Sequence, residues 1–397
     1  MRDGDTTLGQ RLRALRMERG YSQQELAGRA GVSVDLVSML ERDVRESMSW
    51  ASMIKLARAL DVDPGALAGK SPHLEPVPGA AVLTVRDTVI NPGLLPGLHP
   101  DHDGEPATPA DLWRLVEKAY GAYFAGEFGV LAADLPNLIG ECRLLESSDP
   151  ATAATPLAHA WQLAACLLVH TGRDDAAAIA AERAIHAGRN GDDPWRLATL
   201  YGTYSWVMLH QGRLEAAEKL AADTADGIEP SLSRTKPQQL TAWGGLILHA
   251  AVASGARGDR ARAEEYLRVA TAGATRADAD RHDYWVSFGP SHVAVQTAHI
   301  MTALRRPDTA LKASARIQRA DLFPVQYGRH LLNVGRSLLE QRRTDEAIEA
   351  TSRARDLSPE WFRHQGFARS LVSDLVARKA RLTTPLRDLV QTIGHLS

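Results

Sequence analysis

Apolar and small residues recur at helical spacing in one segment after another from Asp111 to about Leu396, with hardly a run of the alternation that marks a strand. A turn signature returns between the segments: Ala125-Gly126-Glu127-Phe128, Thr171-Gly172-Arg173-Asp174, Gln211-Gly212-Arg213-Leu214, Arg257-Gly258-Asp259, Arg306-Pro307-Asp308 and Arg343-Thr344-Asp345. Measured at residues 126, 172, 212, 258, 307 and 344, the turns lie 46, 40, 46, 49 and 37 residues apart. Each is followed by an alanine-rich amphipathic stretch, such as Leu214-Glu215-Ala216-Ala217-Glu218-Lys219-Leu220-Ala221. The pattern predicts roughly six helix pairs, in which small alanines let paired helices approach closely. One pair cannot bury its apolar face alone, so the pairs must stack.

The first 70 residues follow a different rhythm. Ser22 and Glu25 form a capping box at a helix start, and Leu26, Ala27 and Ala30 then share one face. Gly31 stands at a sharp turn, Ser33 can cap the next helix, and Val37 and Leu40 face inward from it. Two short helices about a glycine turn form the motif that lays its second helix in the major groove of DNA. Residues 71–110 hold eight of the twenty prolines and read as a connector, although Val82 to Ile90 is apolar enough to dock as a short helix or strand. Three segments are therefore expected: a DNA-binding domain over 1–70, a proline-rich connector over 71–110, and a helical-repeat domain over 111–397, for which the resemblance given below implies sensing and dimerisation.

The stretch from Leu8 to Leu67 resembles the Xre / lambda-repressor-type DNA-binding domains. The resemblance is carried by Leu12 and Arg16, by Gly20-Tyr21-Ser22-Gln23 with Glu25-Leu26-Ala27, by Gly31-Val32-Ser33, by Glu41, and by Ile54-Lys55-Leu56-Ala57-Arg58-Ala59-Leu60-Asp61-Val62. It implies five short helices, a phosphate contact from Gln23, and an internal Arg16–Glu41 pair. It also implies a groove-facing set of Ser33, Val34, Asp35, Ser38 and Met39, with Arg42 and Arg45 as backbone clamps. No Arg, Lys, Asn or Gln lies between Ser33 and Met39, so the bidentate contacts that favour G or A are missing. Residues 8–58 carry nine Lys or Arg against six acids, a net of only +3, so a homodimer on an inverted-repeat operator in double-stranded DNA is expected.

Composition narrows the rest. At 397 residues the chain is too long for one core, and a net charge of −2 confines any nucleic-acid affinity to a local surface. Cys142 and Cys166 fall in apolar stretches and read as buried small hydrophobes. The sequence shows no signal-peptide pattern, and no stretch of about 20 uncharged apolar residues is expected to cross a membrane, so a soluble cytoplasmic protein is expected. Phosphate-cradling loops, dinucleotide fingerprints, zinc-protease motifs and nucleophile elbows are all missing from it, so neither an enzyme nor a cofactor is expected.

Two polar trios in the repeats stand out: His292, Gln296 and His299, and Gln326, His330 and Asn333, each at helical spacing on one face. Gln239 with Trp243, and Tyr204 with Met208 one repeat earlier, could extend the row. Amides and imidazoles on a concave face suit a peptide backbone, with aromatic pockets beside them; the plainer alternative is that these faces bond a neighbouring helix. A metal at His292 and His299 is disfavoured by their separation and the lack of an acid.

The recurring pairs resemble a degenerate tetratricopeptide array, which implies a right-handed superhelix with a concave groove. The whole layout, all-α with a five-helix lambda-repressor-like domain joined to this superhelix, is similar to one-component peptide-sensing bacterial regulators. That resemblance implies a sequence-specific transcriptional regulator sensing a peptide or small molecule. The alternative is a scaffold or regulator whose repeats hold a protein partner.

Overall fold

Ser22, Gly31 and Ser33 punctuate the first helices as the sequence expects. In the computed structural model, which describes residues 7–45, 50–60, 62, 80–90, 107–231, 235–277, 279–317, 319, 322–379 and 382–393, the chain divides into two compact units, Met1–Ala80 and Ala81–Ser397. The first contains α1 (Leu8–Glu18), α2 (Gln23–Ala30), α3 (Val34–Glu41) and α4 (Trp50–Leu60). Ser22 Oγ accepts from the Glu25 amide at 3.1 Å while the Glu25 carboxylate accepts from the Ser22 amide at 2.7 Å, closing the capping box. Gly31 takes φ +59°, and the Val32 amide returns to the Ala27 carbonyl at 3.0 Å. Leu12, Leu26, Val37, Leu40, Leu56 and Leu60 fill the core with no exposed area. Gly9 lets α1 lie against the end of α3, since a Cβ there would stand 1.9 Å from the Leu40 carbonyl oxygen. The expected fifth helix falls on residues outside those described.

In the second unit the six turns close by one geometry. The amides of Glu127, Arg173, Arg213, Asp259, Arg306 and Arg343 each reach back five residues to a helix carbonyl, at 2.8–3.0 Å. This Schellman closure needs the preceding residue in the left-handed region. Gly126, Gly172, Gly212 and Gly258 supply it in the first four turns, Arg305 (φ +54°) and Arg342 (φ +64°) in the last two. A non-glycine residue there costs about 1–2 kcal/mol, only partly offset by the extra freedom glycine brings to the unfolded chain. Arg342 is exposed, so Arg342→Gly is expected to stabilise the unit by about 0.5–1 kcal/mol, read as a higher urea midpoint. A lower midpoint would mean that the side chain, not the backbone, holds this turn.

Six helix pairs result: Pro109–Ala125 with Phe128–Ser148, Pro150–His170 with Asp174–Gly188, Pro194–His210 with Leu214–Gly227, Pro237–Ala256 with Arg260–Ala277, Pro290–Ala303 with Pro307–Ser314, and Pro324–Glu340 with Thr344–Leu357. The first helices of successive pairs pack side by side as an inner layer. Pro359–His364, Gly366–Arg378 and Thr384–Ile393 follow, and helix Ala80–Ile90 joins the core of this unit through Val82, Val85 and Val89. The inner layer does not remain an open groove. Helix 324–340 packs against helix 109–125, and Phe124 stacks on Phe323 at 4.3 Å, so the sixth pair meets the first.

A short antiparallel hairpin, β1 (Arg281–Asp283) and β2 (Val286–Phe288), interrupts the helices between the fourth and fifth pairs. Its two-residue loop is Tyr284-Trp285, both at positive φ (+52° and +65°). Such loops normally take Asn and Gly, so these aromatics must be held from outside. Trp285 stacks on Tyr120 at 4.1 Å, and the Arg196 guanidinium lies 4.7 Å from the Tyr284 ring centre.

One expectation needs correcting. Helix Pro150–His170 carries no Asp, Glu, Lys or Arg and is long and apolar enough to cross a membrane. In the folded unit 83% of its most apolar window is buried, as suits a central core helix. Cys142 is buried as expected, whereas Cys166 is only half-buried and faces a cavity.

Candidate DNA-reading helix and ligand cavity

Helix α3 is held from behind by a carboxylate. Glu41 accepts from Arg16 at both oxygens (Nε 2.6 Å, Nη2 2.9 Å) and from Gln23 Nε2 at 2.8 Å, while Arg16 Nη1 donates to the Tyr21 carbonyl at 2.6 Å. Burial works against ionisation of Glu41, but the bonds from Arg16 and Gln23 win and hold its pKa below the ordinary value. The Arg16–Glu41 pair is thus present, and Gln23 belongs to it through the amide N–H it gives to Glu41.

The residues expected to face the groove differ in exposure. Ser33 caps the helix, its Oγ accepting from the Leu36 amide at 3.2 Å. Val34 and Asp35 are exposed, whereas Ser38 and Met39 are half-buried. Arg42 is exposed, its Nε donating to the Ser38 carbonyl at 3.2 Å, and Arg45 is exposed beyond the helix end.

In the second unit the inner helices and the hairpin surround a cavity of about 310 Å3. Each of the six inner helices contributes to the wall, joined by Trp285 to Ser287 from the hairpin and by Trp361. His292, Gln296, His299 and Gln326 line it. His292 sits between Asp280 Oδ1 (3.0 Å) and Gln326 Oε1 (3.4 Å), and Gln326 Nε2 donates to Ser287 Oγ at 2.9 Å, tying the hairpin to the sixth pair. Burial opposes ionisation of Asp280, yet its bonds to His292 and Ser291 draw it down to about 2. Asn333 stands behind the wall, its Oδ1 3.3 Å from His299 Nδ1. Burial, the charge of Arg329 and that Asn333 bond leave His299 at about 4. Gln296 makes no hydrogen bond with the described residues.

The remaining sequence candidates lie elsewhere. His330 is buried with Nδ1 unpartnered, beside Tyr327. Gln239 donates to the Ile228 carbonyl at 3.1 Å, and Trp243 packs in a core with Phe288. Tyr204 and Met208 line a separate cavity of about 720 Å3, where Tyr204 donates to Glu182 at 2.8 Å. Helical spacing identifies a shared face but not what that face meets, which is why the row divides.

Sequence reasoning missed the polar wall opposite. Gln365 Nε2 donates to His170 Nδ1 (3.1 Å), which fixes the proton of the neutral ring on Nε2, where it reaches the Tyr123 oxygen at 3.2 Å. Burial first, then the charge of Arg329, pushes His170 far below its ordinary value. A second chain runs from Arg196 Nη1 to His159 Nε2 (2.7 Å), then from His159 Nδ1 to Gln162 Oε1 (3.0 Å), with Gln162 Nε2 donating to Thr203 at 2.8 Å. Burial and Arg196 bring His159 to about 3. Both networks join residues about 40 or more positions apart, a relation no local period reports.

Residues 7–68 match the helix-turn-helix domain family model, so the first unit is a helix-turn-helix domain. The chain is also similar to the HTH-type transcriptional regulator SinR of Bacillus licheniformis, at 35% identity over 68 residues, and to SinR of Bacillus subtilis (strain 168), at 40% over 55 residues. The chain spans 61% and 50% of those relatives' lengths, and the likeness covers 17% and 14% of its own. Among solved structures, Bacillus thuringiensis PlcR in complex with the peptide PapR7 and DNA is similar at 12% identity and a TM-score of 0.29, over 94% of this chain and 99% of that one. PrgX is similar at 12% identity and a TM-score of 0.21, over 96% and 98%. Both scores fall below 0.5, so neither likeness by itself establishes a common fold.

Proposed function

We propose that this chain is a DNA-binding transcriptional regulator whose second unit answers to a peptide or small molecule held in the 310 Å3 cavity. The observation that carries the reading is the pairing of an outward-facing α3, capped by Ser33 and braced by Glu41, with a second unit enclosing a cavity whose polar groups are only partly satisfied. The helix-turn-helix match and the name of the SinR relatives support the DNA-binding half.

A net of +3 over residues 8–58 is weak phosphate attraction for one copy, so the regulator acts as a homodimer on an inverted-repeat operator. It does so in the cytoplasm, with Gln23, Arg42 and Arg45 on the backbone and Ser33, Val34, Asp35, Ser38 and Met39 toward the bases. A ligand changes DNA affinity only by binding one arrangement of the helices better than another. The domain reading keeps a DNA-binding segment over 1–70 and a connector over 71–110 whose helical middle belongs to the sensing unit.

Val34→Glu isolates the DNA step. The site is exposed and lies in the first turn of α3, where an acid suits the helix dipole, so the fold is expected to survive. Purified protein mixed with sheared genomic DNA is expected to retain one palindromic motif, and the variant to lose it by about a hundredfold through repulsion from phosphate. Equal retention by both proteins would sink the DNA-binding reading.

A further inference from the structure

We propose that the cavity of the second unit takes an organic anion, a carboxylate on an apolar body, and that Arg329 is the residue that holds it. This inference rests on the reading of the cavity as the effector site.

Histidines apart, Arg329 is the one charged side chain among the described residues of the cavity wall, and no Asp or Glu is among them. His292, the histidine that does meet a carboxylate, is paired with Asp280. Arg329 has no ion-pair partner among the described residues. Its guanidinium carries five N–H donors, yet its one side-chain hydrogen bond runs from Nη2 to the neutral Oε1 of Gln365 at 3.2 Å. Gln365 is itself committed to His170. Burial presses on the charge of Arg329, and Tyr123 only partly relieves it. A half-buried guanidinium without a counter-charge is costly to keep, and the described residues offer none.

The surroundings do not share the charge. His170, His210 and His299 are all disfavoured from protonating, by burial first and by Arg329 next. The site therefore presents the Arg329 cation beside the buried imidazoles of His170, His210 and His299 and the amide of Gln296, which has no side-chain partner among the described residues. One planar fork with a lone positive charge matches a carboxylate, which takes two parallel N–H bonds, better than a phosphate dianion, which needs further cations. Phe124, Trp206 and Trp361 form the apolar part of the wall. At about 310 Å3 the space suits a small acid or the terminal residues of a peptide rather than a long chain.

The test uses the full chain and two matched pairs of probes in calorimetric titrations: 3-phenylpropionate against its amide, and the dipeptide leucyl-phenylalanine with a free or an amidated C-terminus. At least one acid is expected to bind about tenfold tighter than its amide, the worth of a charged hydrogen-bonded pair. Arg329→Gln should bring the two within about twofold of each other, and Arg329→Lys, which keeps the charge but not the fork, should fall between. Preference for the dipeptide acid identifies a peptide C-terminus as the source, and preference for phenylpropionate a free organic acid. Equal binding of acid and amide by the unaltered protein overturns the proposal without any variant. So does an acid preference that survives Arg329→Gln, or no binding of either acid at millimolar concentration. Arg329-dependent binding that leaves DNA retention unchanged would uphold the anion site and remove the effector reading. A neutral ligand that shifts DNA retention would do the reverse.

Discussion

Trp361→Ala is expected to destabilise the second unit by about 3–5 kcal/mol, the largest effect of any single truncation considered for this chain. Trp361 is fully buried and stands where the last pair meets the first. A Cβ added at Gly126 would lie 2.9 Å from the Trp361 Cβ, and one at Gly328 would lie 2.8 Å from its ring, so both glycines are cut to fit it. Ser358 holds the same segment in place, donating from Oγ to the Gly126 carbonyl at 3.1 Å and accepting from the Trp361 amide at 3.3 Å. Removing the indole leaves a void beside the 310 Å3 cavity that two packed helices cannot collapse into. Urea unfolding followed by circular dichroism reads the loss. A shift under about 1 kcal/mol would place the closing energy elsewhere, in the Phe124–Phe323 stack.

The second large effect belongs to Glu41→Ala. Its side chain is 2% exposed and that of Arg16 is 13% exposed, so truncation strands a guanidinium and the Gln23 amide against an apolar core. Breaking a buried pair in this way costs about 3 kcal/mol. A unit of 80 residues has little stability to lose. Hydrogen exchange is expected to accelerate over residues 8–41 while the repeat helices stay protected; unchanged exchange would refute the bracing role. The pH dependence follows from the same contact. The folded-state pKa of Glu41 lies below its unfolded value, so its stabilisation is fully present above the ordinary carboxylate range. It is lost as pH falls through the lowered folded value, and Glu41→Ala should be blind to that fall.

What the sequence disclosed and what it hid divide along a physical line. The six turns were legible because a Schellman closure is local, and where Arg305 and Arg342 replace glycine the neighbouring Arg306 and Arg343 still marked the place. The helix-turn-helix was legible for the same reason, since Ser22, Glu25, Gly31 and Ser33 act within four residues of themselves. One side of the cavity was legible, as His292, Gln296 and His299 share one face of one helix. Arg329 was not, because its significance is the lack of an acid within reach, a property of six helices at once. The hairpin was equally hidden: Tyr284-Trp285 carries no turn chemistry, and residues as distant in sequence as Tyr120 and Arg196 help to hold it.

The meeting of helix 324–340 with helix 109–125 has one more consequence. An open solenoid can grow or shrink by whole repeats, because each repeat answers only to its neighbours. Here the first and sixth inner helices are also neighbours, so the repeat number is fixed at six much as strand number is fixed in a closed barrel. Duplicating or deleting a helix pair would part Trp361 from Gly126 and open the cavity. Descendants of this fold can therefore diversify by exchanging wall residues but not by changing length.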